Sequence, residues 1–270
     1  MSVVGDVDVA ALRVLAERLA VDAGELALDG RRRLGVGRTM HHDTKSSATD
    51  PVTEFDRAAE ELIVDGLGRE RPDDAIVGEE GAARSGSTGL EWHVDPIDGT
   101  VNFVYDLPAW CTSVAVVDDD GPLAGAVFAP VTGELFSAAR GRGATLDGAP
   151  ISCSSADDLS TALVATGFSY LPERRSLQAA RIVRLITQVR DVRRFGSAAL
   201  DLCMVGAGRV DAYFEEHLNS WDLAAGVLVA AEAGAVTSDL GGGAAGPHAT
   251  VAAAPGIHRA LVAAVVDAGS

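Results

Sequence analysis

The sequence predicts a mixed fold, α+β in its first half and α/β in its second. Apolar residues recur at helical spacing over positions 7–28, which predicts a long amphipathic helix. From position 75 onward, short apolar runs alternate with turn residues, as in a mostly antiparallel sheet. After about position 150, strand-like and helix-like segments alternate, as in α/β proteins. The 270 residues are therefore predicted to form two domains, 1–149 and 150–270.

Two helices are predicted to lie behind the first sheet. A polar segment at 31–50 separates them, and the second helix begins at Thr53. The Thr53 hydroxyl can cap that helix while Asp56 answers from the third helical position. Apolar runs at 112–117 and 123–128 flank a turn, which predicts a hairpin. Further strands are predicted at 75–77, 92–94, 134–138 and 143–146.

In the second half, the alternation places strands between helices. Strands are predicted at 162–165, 210–214, 235–238 and 251–254, and helices at 177–189, 197–207, 222–233 and 257–268. Segment 191–194 is interpreted as a connection. The glycine cluster at 241–243 is interpreted as a turn, because no Lys-Ser/Thr pair follows it as in a phosphate-binding loop.

Charge and cysteine content restrict the function. The net charge is -17, from 39 acidic and 22 basic residues, so nucleic acid and anionic membranes are not expected partners. The same charge repels a phosphate ester, so a phosphate-processing site would need metal ions or a local basic feature. Cys111, Cys153 and Cys203 form no C-x-x-C pair, and we expect three buried, reduced thiols. With no N-terminal signal pattern and no long apolar run, we expect a cytoplasmic protein.

The segment 95–100, D-P-I-D-G-T, is the strongest candidate for chemistry. Pro96 restricts the residue before it to extended geometry, and Gly99 permits a turn, so Asp95 and Asp98 can be held on one side of a bend. The Ile97 carbonyl can then supply a third oxygen. Such oxygen ligands favour Mg²⁺, Mn²⁺ or Ca²⁺ over zinc. The alternative is an acidic turn with a capping aspartate.

Three more carboxylates stand at predicted ends of helices or strands. Glu79 lies in G-E-E at 78–80, Asp222 begins a helix, and Asp56 lies in the helix start described above. Each has an ordinary structural alternative, as a solvated turn, an N-cap or a capping partner respectively. A calcium-binding module is another alternative, but the chain lacks an EF-hand loop.

Together these motifs resemble the inositol monophosphatase family over nearly the whole chain. Residues 92–103 read W-x-x-D-P-I-D-G-T-x-N-F, and 221–226 read W-D-x-A-A-G. Residues 50–56 match D-x-V-T-x-x-D, 78–80 match G-E-E, and Lys45 precedes both. The likeness is greatest to bacterial, particularly actinobacterial, inositol-1-monophosphatases. It implies a layered α-β-α-β-α sandwich and a homodimer.

The resemblance also implies a metal site of two to three Mg²⁺ ions per subunit. It implies that Mn²⁺ substitutes and that Ca²⁺ and Li⁺ inhibit. The implied ligands of the first ion are Glu79, Asp95 and the Ile97 carbonyl. Those of the second are Asp95, Asp98 and Asp222, and a weaker third ion would lie near Glu79 and Asp56. The first predicted domain would thus carry most ligands, and the second would carry Asp222 and the substrate pocket.

The implied reaction is hydrolysis of myo-inositol 1-phosphate and related polyol phosphates by metal-activated water. Its implied catalytic residues are Glu79, Asp56 and Thr100, with the Thr100 hydroxyl paired to Asp56 orienting the water. The implied substrate contacts are Asp98, Gly99, Thr100, Gly196, Ser197, Ala198, Glu215 and Asp222. Of these, Glu215 would contact the sugar-like hydroxyls, and the backbone N–H groups of Gly99 and Thr100 would hold the phosphate.

Four alternatives stay open. The same superfamily includes phosphatases for histidinol phosphate, 3'-phosphoadenosine and fructose 1,6-bisphosphate. An adenine nucleotide would need an aromatic or basic pocket, and no sign of one follows Glu215. The non-enzymatic alternative is a catalytically silent metal-binding protein. His217 is interpreted as a loop histidine, and Lys45 as either a neighbour of the third ion or a solvated lysine.

Overall fold

The computed structural model describes residues 8–34, 43–44 and 51–267. The helices are α1 (Val9–Leu34), α2 (Glu54–Glu70), α3 (Thr100–Val104), α4 (Pro172–Leu185), α5 (Ala198–Gly206), α6 (Ser220–Glu232) and α7 (His258–Asp267). The first strands are β1 (Asp43–Thr44), β2 (Pro51–Val52), β3 (Ala75–Gly78), β4 (Ala83–Arg84), β5 (Glu91–Asp98), β6 (Cys111–Asp118), β7 (Gly121–Ala129) and β8 (Glu134–Ala139). The others are β9 (Ala144–Leu146), β10 (Ala149–Pro150), β11 (Leu163–Thr166), β12 (Asp191–Arg193), β13 (Ala212–Glu216), β14 (Val236–Ser238) and β15 (Ala249–Ala253).

The elements form five layers. Helices α1 and α2 pack on one face of an eight-stranded sheet, and α5 and α6 lie between that sheet and a five-stranded one. Helices α4 and α7 cover the outer face of the five-stranded sheet. The predicted layered α-β-α-β-α sandwich is therefore confirmed.

The eight-stranded sheet has the order β10-β9-β8-β7-β6-β5-β3-β4 and is antiparallel except between β3 and β5. The predicted hairpin forms from β6 and β7. Along β6, Val114 and Val116 face α1 and α2, whereas Ala115 faces α5 and α6. Both faces are buried, which explains why this strand is a continuous apolar run rather than an alternating one.

The five-stranded sheet is mixed, in the order β12-β11-β13-β15-β14. Strand β11 pairs in parallel with β12 and β13, and β15 pairs antiparallel with β13 and β14. Along β13, Phe214 packs towards α4 and α7, while Tyr213 packs towards α5 and α6. Helix α6 contributes to the cores on both of its sides, through Leu228 towards the first sheet and Ala230 towards the second. The division into two domains stays a prediction.

Helix α1 runs six residues beyond its predicted end at 28. The extension lacks an apolar stripe and is stabilised by tertiary contacts instead. Arg31 is buried, and its Nε donates to the Phe103 carbonyl at 3.1 Å. A Cβ at Gly30 would lie 2.1 Å from the Phe55 ring, so α1 and this ring pack closely there. Helical periodicity alone could not predict these contacts.

Other boundaries differ for local reasons. Strand β5 continues to Asp98 rather than ending at 94. The predicted connection at 191–194 is wrong, because residues 191–193 form the edge strand β12. Helix α4 begins five residues before its predicted start, at Pro172, whose fixed φ suits the first turn of a helix. It also ends earlier than predicted, at Leu185.

The three cysteines are free, as expected, but only two are buried. Cys111 and Cys203 lie in the core between the first sheet and the middle helices, whereas Cys153 is partly exposed. Across the part of the chain that is described, no helix is both long enough and apolar enough to cross a membrane.

Candidate active site

The site is built around an irregularity in β5. Asp95 pairs with Ser113 of β6 and Asp98 with Cys111, so β5 has one extra residue between these pairs. This bulge interrupts the ladder and turns the side chains at the strand end. The Asp95 Oδ1 accepts a hydrogen bond from the Ile97 N–H at 3.1 Å, which fixes the carboxylate against the bulge.

Asp98 is fixed from the second half of the chain. Its Oδ2 accepts hydrogen bonds from the Ser197 hydroxyl and the Ala199 N–H, each at 2.7 Å. Ser197 is also the N-cap of α5, since its Oγ accepts the Leu200 N–H at 3.2 Å. The N-terminus of α5 therefore orients a carboxylate at the end of β5.

Asp56 and Asp222 both occupy the third position of a capping box. The Asp56 Oδ2 accepts the Thr53 N–H at 2.8 Å, which confirms the predicted cap of α2. Asp222 is not the N-cap of α6, because Asn219 is; the Asp222 Oδ2 accepts the Asn219 N–H at 2.6 Å. In each case the cap engages one carboxylate oxygen, so a structural role at the helix end leaves room for a second role.

Glu79 lies in a turn that Glu60 supports. From α2, the buried Glu60 carboxylate accepts the N–H groups of Glu80 at 2.8 Å and Ala82 at 2.9 Å. A Cβ at Gly78 would lie 2.2 Å from Glu60 Oε2, so only glycine leaves room for this arrangement. The Glu79 N–H donates to the Val94 carbonyl at 3.1 Å, which ties the turn to β5. The supporting role of Glu60 was not evident from the sequence.

The carboxylates strongly perturb each other. Burial raises the pKa of Asp95 well above its usual value, and the charges of Glu79 and Asp98 raise it further. Burial also raises the pKa of Asp222, as do the charges of Asp98 and Glu79. The pKa of Asp98 is raised by burial as well, against the opposing hydrogen bond from Ser197. Such a group of buried acids is stable only when protonated or neutralised by cations.

The donor set fits hard divalent cations. It consists of carboxylates and the Ile97 carbonyl, which are the oxygen ligands that Mg²⁺ prefers. As the side chains are placed, no three His, Cys, Asp or Glu groups in the described ranges are close enough to hold an ion.

Thr100 links the strand end to α2. Its Oγ1 lies 3.0 Å from the Ile97 carbonyl oxygen and 3.3 Å from Asp56 Oδ1. The hydroxyl has one proton, so the two acceptors share it. The Thr100–Asp56 pair that the resemblance implied is thus present, and the Ile97 carbonyl also accepts from Thr100.

Gly99 and Gly196 lie against each other at the edge of the site. Gly99 has φ of 96°, and a Cβ there would lie 3.0 Å from the Gly196 carbonyl oxygen. Asn102 joins the two segments, because its Nδ2 donates to the Phe195 carbonyl at 2.7 Å and the Ala109 carbonyl at 2.6 Å. Gly99 and Asn102 of the 92–103 motif therefore have a packing role.

A cavity of about 420 Å³ opens beside these residues. Of the residues predicted for the site, those that line it are Glu79, Asp95, Ile97, Asp98, Gly99, Thr100, Gly196, Ser197, Ala198, Glu215 and Asp222. Asp56 is not among the lining residues and contacts the cavity wall through Thr100. The structure thus brings the two halves of the predicted site together around one cavity.

Glu215 lies at the far wall of the cavity. Its Oε2 accepts the Tyr213 hydroxyl at 2.7 Å, and burial raises the pKa of its carboxyl to about 7. A Cβ at Gly167 would lie 1.9 Å from the same oxygen. Gly167 therefore provides the space that the carboxyl occupies.

Two arginines at the cavity were missed from the sequence. Arg174 of α4 and Arg194, just after β12, are exposed residues that line it. Arg194 lowers the pKa values of Asp98 and Glu215, although burial outweighs this effect at both. Arg174 and Arg194 supply the local basic feature that a phosphate ester would need near a chain of charge -17. Neither belongs to a recognisable motif, so no sequence signal distinguished them from surface arginines.

The remaining predicted residues have different positions. His217 is exposed, has φ of 64° and lies at the cavity in the β13–α6 loop, consistent with its interpretation as a loop histidine. Lys45 and Asp50 lie outside the described residues.

Comparison with known proteins identifies relatives along the whole chain. A model of the inositol monophosphatase family matches residues 8–270. The inositol-1-monophosphatase of Mycobacterium leprae is 46% identical over 278 aligned residues, covering 97% of this chain and 96% of that protein. The Nus factor SuhB of Pasteurella multocida is 39% identical over 231 residues, 85% of each chain. The solved structure of Mycobacterium tuberculosis SuhB has 42% identity and a TM-score of 0.83, covering 97% of this chain and 98% of that one.

The layered fold, the carboxylate-lined cavity and these relatives define a phosphoric monoester hydrolase. The family match extends over both sheets and every motif within the described residues. The chain belongs to the inositol monophosphatase family.

Proposed function

We propose that this protein hydrolyses myo-inositol 1-phosphate, and related polyol phosphates, in a reaction that depends on Mg²⁺. The observation that carries the proposal is the convergence of Asp95, Asp98 and Asp222 with Glu215 on one cavity. Three of these acids suit cations, which would in turn bind the phosphate, and the fourth suits hydroxyl groups. The relative from M. leprae bears the name inositol-1-monophosphatase, which supports the same substrate.

The family is metal-dependent in general, and we propose that two to three Mg²⁺ ions bind each subunit. The proposed ligands are Glu79, Asp95, the Ile97 carbonyl, Asp98 and Asp222, with Asp56 near the third ion. Bound ions would supply positive charge for the phosphate and a water of lowered pKa as nucleophile. We extend this proposal to replacement by Mn²⁺ and inhibition by Ca²⁺ and Li⁺.

The chain's own residues orient the reactants. Thr100 can accept a proton of the attacking water in a hydrogen bond while donating its own to Asp56, 3.3 Å away. When the water is deprotonated, Asp56 is the proposed final acceptor of the proton, and Glu79 is proposed to help orient the water. The backbone at Gly99 and Thr100 is the proposed contact for phosphate oxygens, with Asp98 and Asp222 beside them.

On the alcohol side, we propose that Glu215 accepts hydrogen bonds from substrate hydroxyls. Its supporting bond from Tyr213 holds the carboxyl towards the cavity. Gly196, Ser197 and Ala198 form the adjoining wall at the start of α5. We also propose that the protein is a homodimer in the cytoplasm. The net charge of -17 does not favour membranes or nucleic acid as partners.

The decisive experiment is phosphate release from a panel of esters at matched Mg²⁺. The panel contains inositol 1-phosphate, histidinol phosphate, fructose 1,6-bisphosphate and adenosine 3',5'-bisphosphate. We expect kcat/KM to be highest for inositol 1-phosphate and to disappear with chelator. Faster turnover of histidinol phosphate would contradict the proposed substrate, and tight Mg²⁺ binding without turnover would favour the silent metal-binding alternative.

One observation favours the nucleotide as a second candidate. A side cavity of about 340 Å³ adjoins the main one and is lined by Val101, Phe168, Tyr170, Arg175 and Arg194. Aromatic rings and arginines are suited to a base and a second phosphate. The sequence after Glu215 showed no aromatic or basic pocket, and all the residues that line the side cavity precede Glu215 in the chain. Arg175 lines the side cavity but not the main one. If Arg175→Gln impairs hydrolysis of the nucleotide but not of inositol 1-phosphate, the side cavity serves this second substrate.

A further inference from the structure

Asp201 is a buried acid that the proposed reaction does not use. It lies on α5, one turn after Ser197, and its side chain is 1% exposed. Among the described residues its Oδ1 has no hydrogen-bond partner, although Asp201 lines the main cavity. A buried polar atom without a partner costs about 1–3 kcal/mol, so its retention at a cavity wall indicates a ligand.

Its surroundings show no structural role for the carboxyl. Asp201 does not cap α5, because Ser197 does, and its own N–H makes an ordinary helical bond to the Ser197 carbonyl at 3.0 Å. The neighbouring Leu200 and Leu202 provide the apolar contacts of this helix turn. An apolar side chain would satisfy the packing at this position at lower cost.

The charged groups around Asp201 point to a polar, uncharged ligand. Glu215 faces it from β13, Asp98 from β5, and Arg194 from the segment after β12. Burial and the charge of Glu215 raise the pKa of Asp201 well above its usual value, which favours the neutral form of the carboxyl. A neutral carboxyl has one O–H donor and further acceptor capacity, which matches the two roles of an alcohol hydroxyl.

We propose that Asp201 is a second specificity-determining residue, which together with Glu215 binds neighbouring hydroxyl groups of the substrate alcohol. The inference rests on the proposed function, because it assigns a polyol to this wall of the cavity. It predicts a preference for vicinal hydroxyls, since two carboxyls from different elements face one ligand. It goes beyond the motif residues, which determine phosphate chemistry rather than the alcohol.

The test compares Asp201→Asn and Asp201→Leu with wild-type protein on two esters. Inositol 1-phosphate presents hydroxyls to the wall, whereas p-nitrophenyl phosphate presents none. We expect KM for inositol 1-phosphate to rise about tenfold in the leucine variant, as for loss of a hydrogen bond. The effect on p-nitrophenyl phosphate should be at least fivefold smaller.

The Tm of the leucine variant should rise, because the unpartnered acid is gone. Met204→Leu on the same helix is the matched control.

A structural role would give a different result. Equal changes for both esters, or a fall in Tm with loss of all turnover in both variants, would overturn the inference. So would an unchanged KM for the polyol. If the wild-type protein fails on inositol 1-phosphate but cleaves glycerol 1-phosphate, which has two vicinal hydroxyls, the proposed function fails separately. The Asp201 comparison is then made with glycerol 1-phosphate against p-nitrophenyl phosphate, and the same outcomes decide it.

Discussion

The Ser197 hydroxyl donates to Asp98 Oδ2 at 2.7 Å, although 99 positions separate the two residues. The bond joins the cap of a middle-layer helix to the end of a strand in the eight-stranded sheet. Ser197 also caps its own helix by accepting the Leu200 N–H. One hydroxyl therefore couples the folding of α5 to the orientation of a proposed metal ligand.

Ser197→Ala should weaken both functions of this hydroxyl. Loss of the cap and of the bond to a buried acid should lower the free energy of unfolding by about 1–3 kcal/mol. Without the Ser197 bond, Asp98 should be less firmly oriented and should also bind the metal less well. Ser197→Thr keeps the hydroxyl and is the control. Thermal denaturation and a Mg²⁺ titration of activity measure the two effects, and an unchanged Mg²⁺ requirement would contradict the coupling.

Thr100→Val should separate the hydroxyl from the shape of the residue. Valine fills the same space, so the turn after β5 should form, but the bond to Asp56 is lost. We expect kcat to fall by at least about 100-fold, the usual scale for loss of general-base assistance. Thr100→Ser should retain most activity. Steady-state phosphate release checks this, and near-normal kcat in the valine variant would exclude the proposed proton path.

Asp95→Asn should stabilise the protein in the absence of metal. Burial and neighbouring charges raise the pKa of Asp95, so the folded state disfavours its ionised form at neutral pH. Asparagine removes that penalty and keeps an oxygen for the Ile97 N–H. We therefore expect a higher Tm in chelator, but no turnover.

The same variant also tests the metal ligand. Wild-type Tm should increase with Mg²⁺ by mass action, whereas the Asn variant should respond weakly. Asp65→Asn, an exposed change on α2, is the control for charge removal and should respond like wild type. A full Mg²⁺ response in Asp95→Asn would refute its assignment as a ligand.

Glu215→Gln should alter stability in a pH-dependent way. The folded-state pKa of Glu215 is about 7, above its ordinary value of 4.5. Between these values the folded protein holds a proton that the unfolded chain loses, so wild-type stability falls as pH rises through this window. The Gln variant has no such penalty. Its advantage in free energy of unfolding should grow from pH 4.5 to 7 and then level off, reaching about 3 kcal/mol, and its Tm advantage should follow the same course. An advantage that is constant with pH would contradict the raised pKa.

The predictable part of the site is the part encoded locally. Asp95 and Thr100 lie within six residues, and Thr53 and Asp56 form a cap within one helical turn. Spacing and turn chemistry determine such arrangements, and the cap formed as expected. The strand periodicity likewise predicted the β6–β7 hairpin, because its pairing partners are adjacent in the chain.

The unpredicted part depends on contacts between distant segments. Glu60 and Asp201 appear as ordinary acids of helical segments, and their burial arises only when the layers assemble. Arg194 resembles a surface arginine until β12 places it beside the cavity. The last two turns of α1 likewise depend on Arg31 reaching the Phe103 carbonyl. None of these relationships produces a periodic or local pattern.

Gly167→Ala tests the alcohol side of the cavity without replacing a charged residue. The new Cβ would lie 1.9 Å from Glu215 Oε2 and 2.2 Å from its Cδ, so the carboxyl must move. Because Tyr213 holds that carboxyl, displacement should cost about 1–3 kcal/mol of stability, as other overpacking changes do. We expect KM for inositol 1-phosphate to rise about tenfold, the equivalent of about one lost hydrogen bond.

Gly68→Ala is the control, because its Cβ would come no closer than 3.7 Å to another atom. It should leave the kinetics unchanged and slightly raise Tm. A wild-type KM in Gly167→Ala, with Tm lowered as expected, would show that Glu215 does not contact the alcohol.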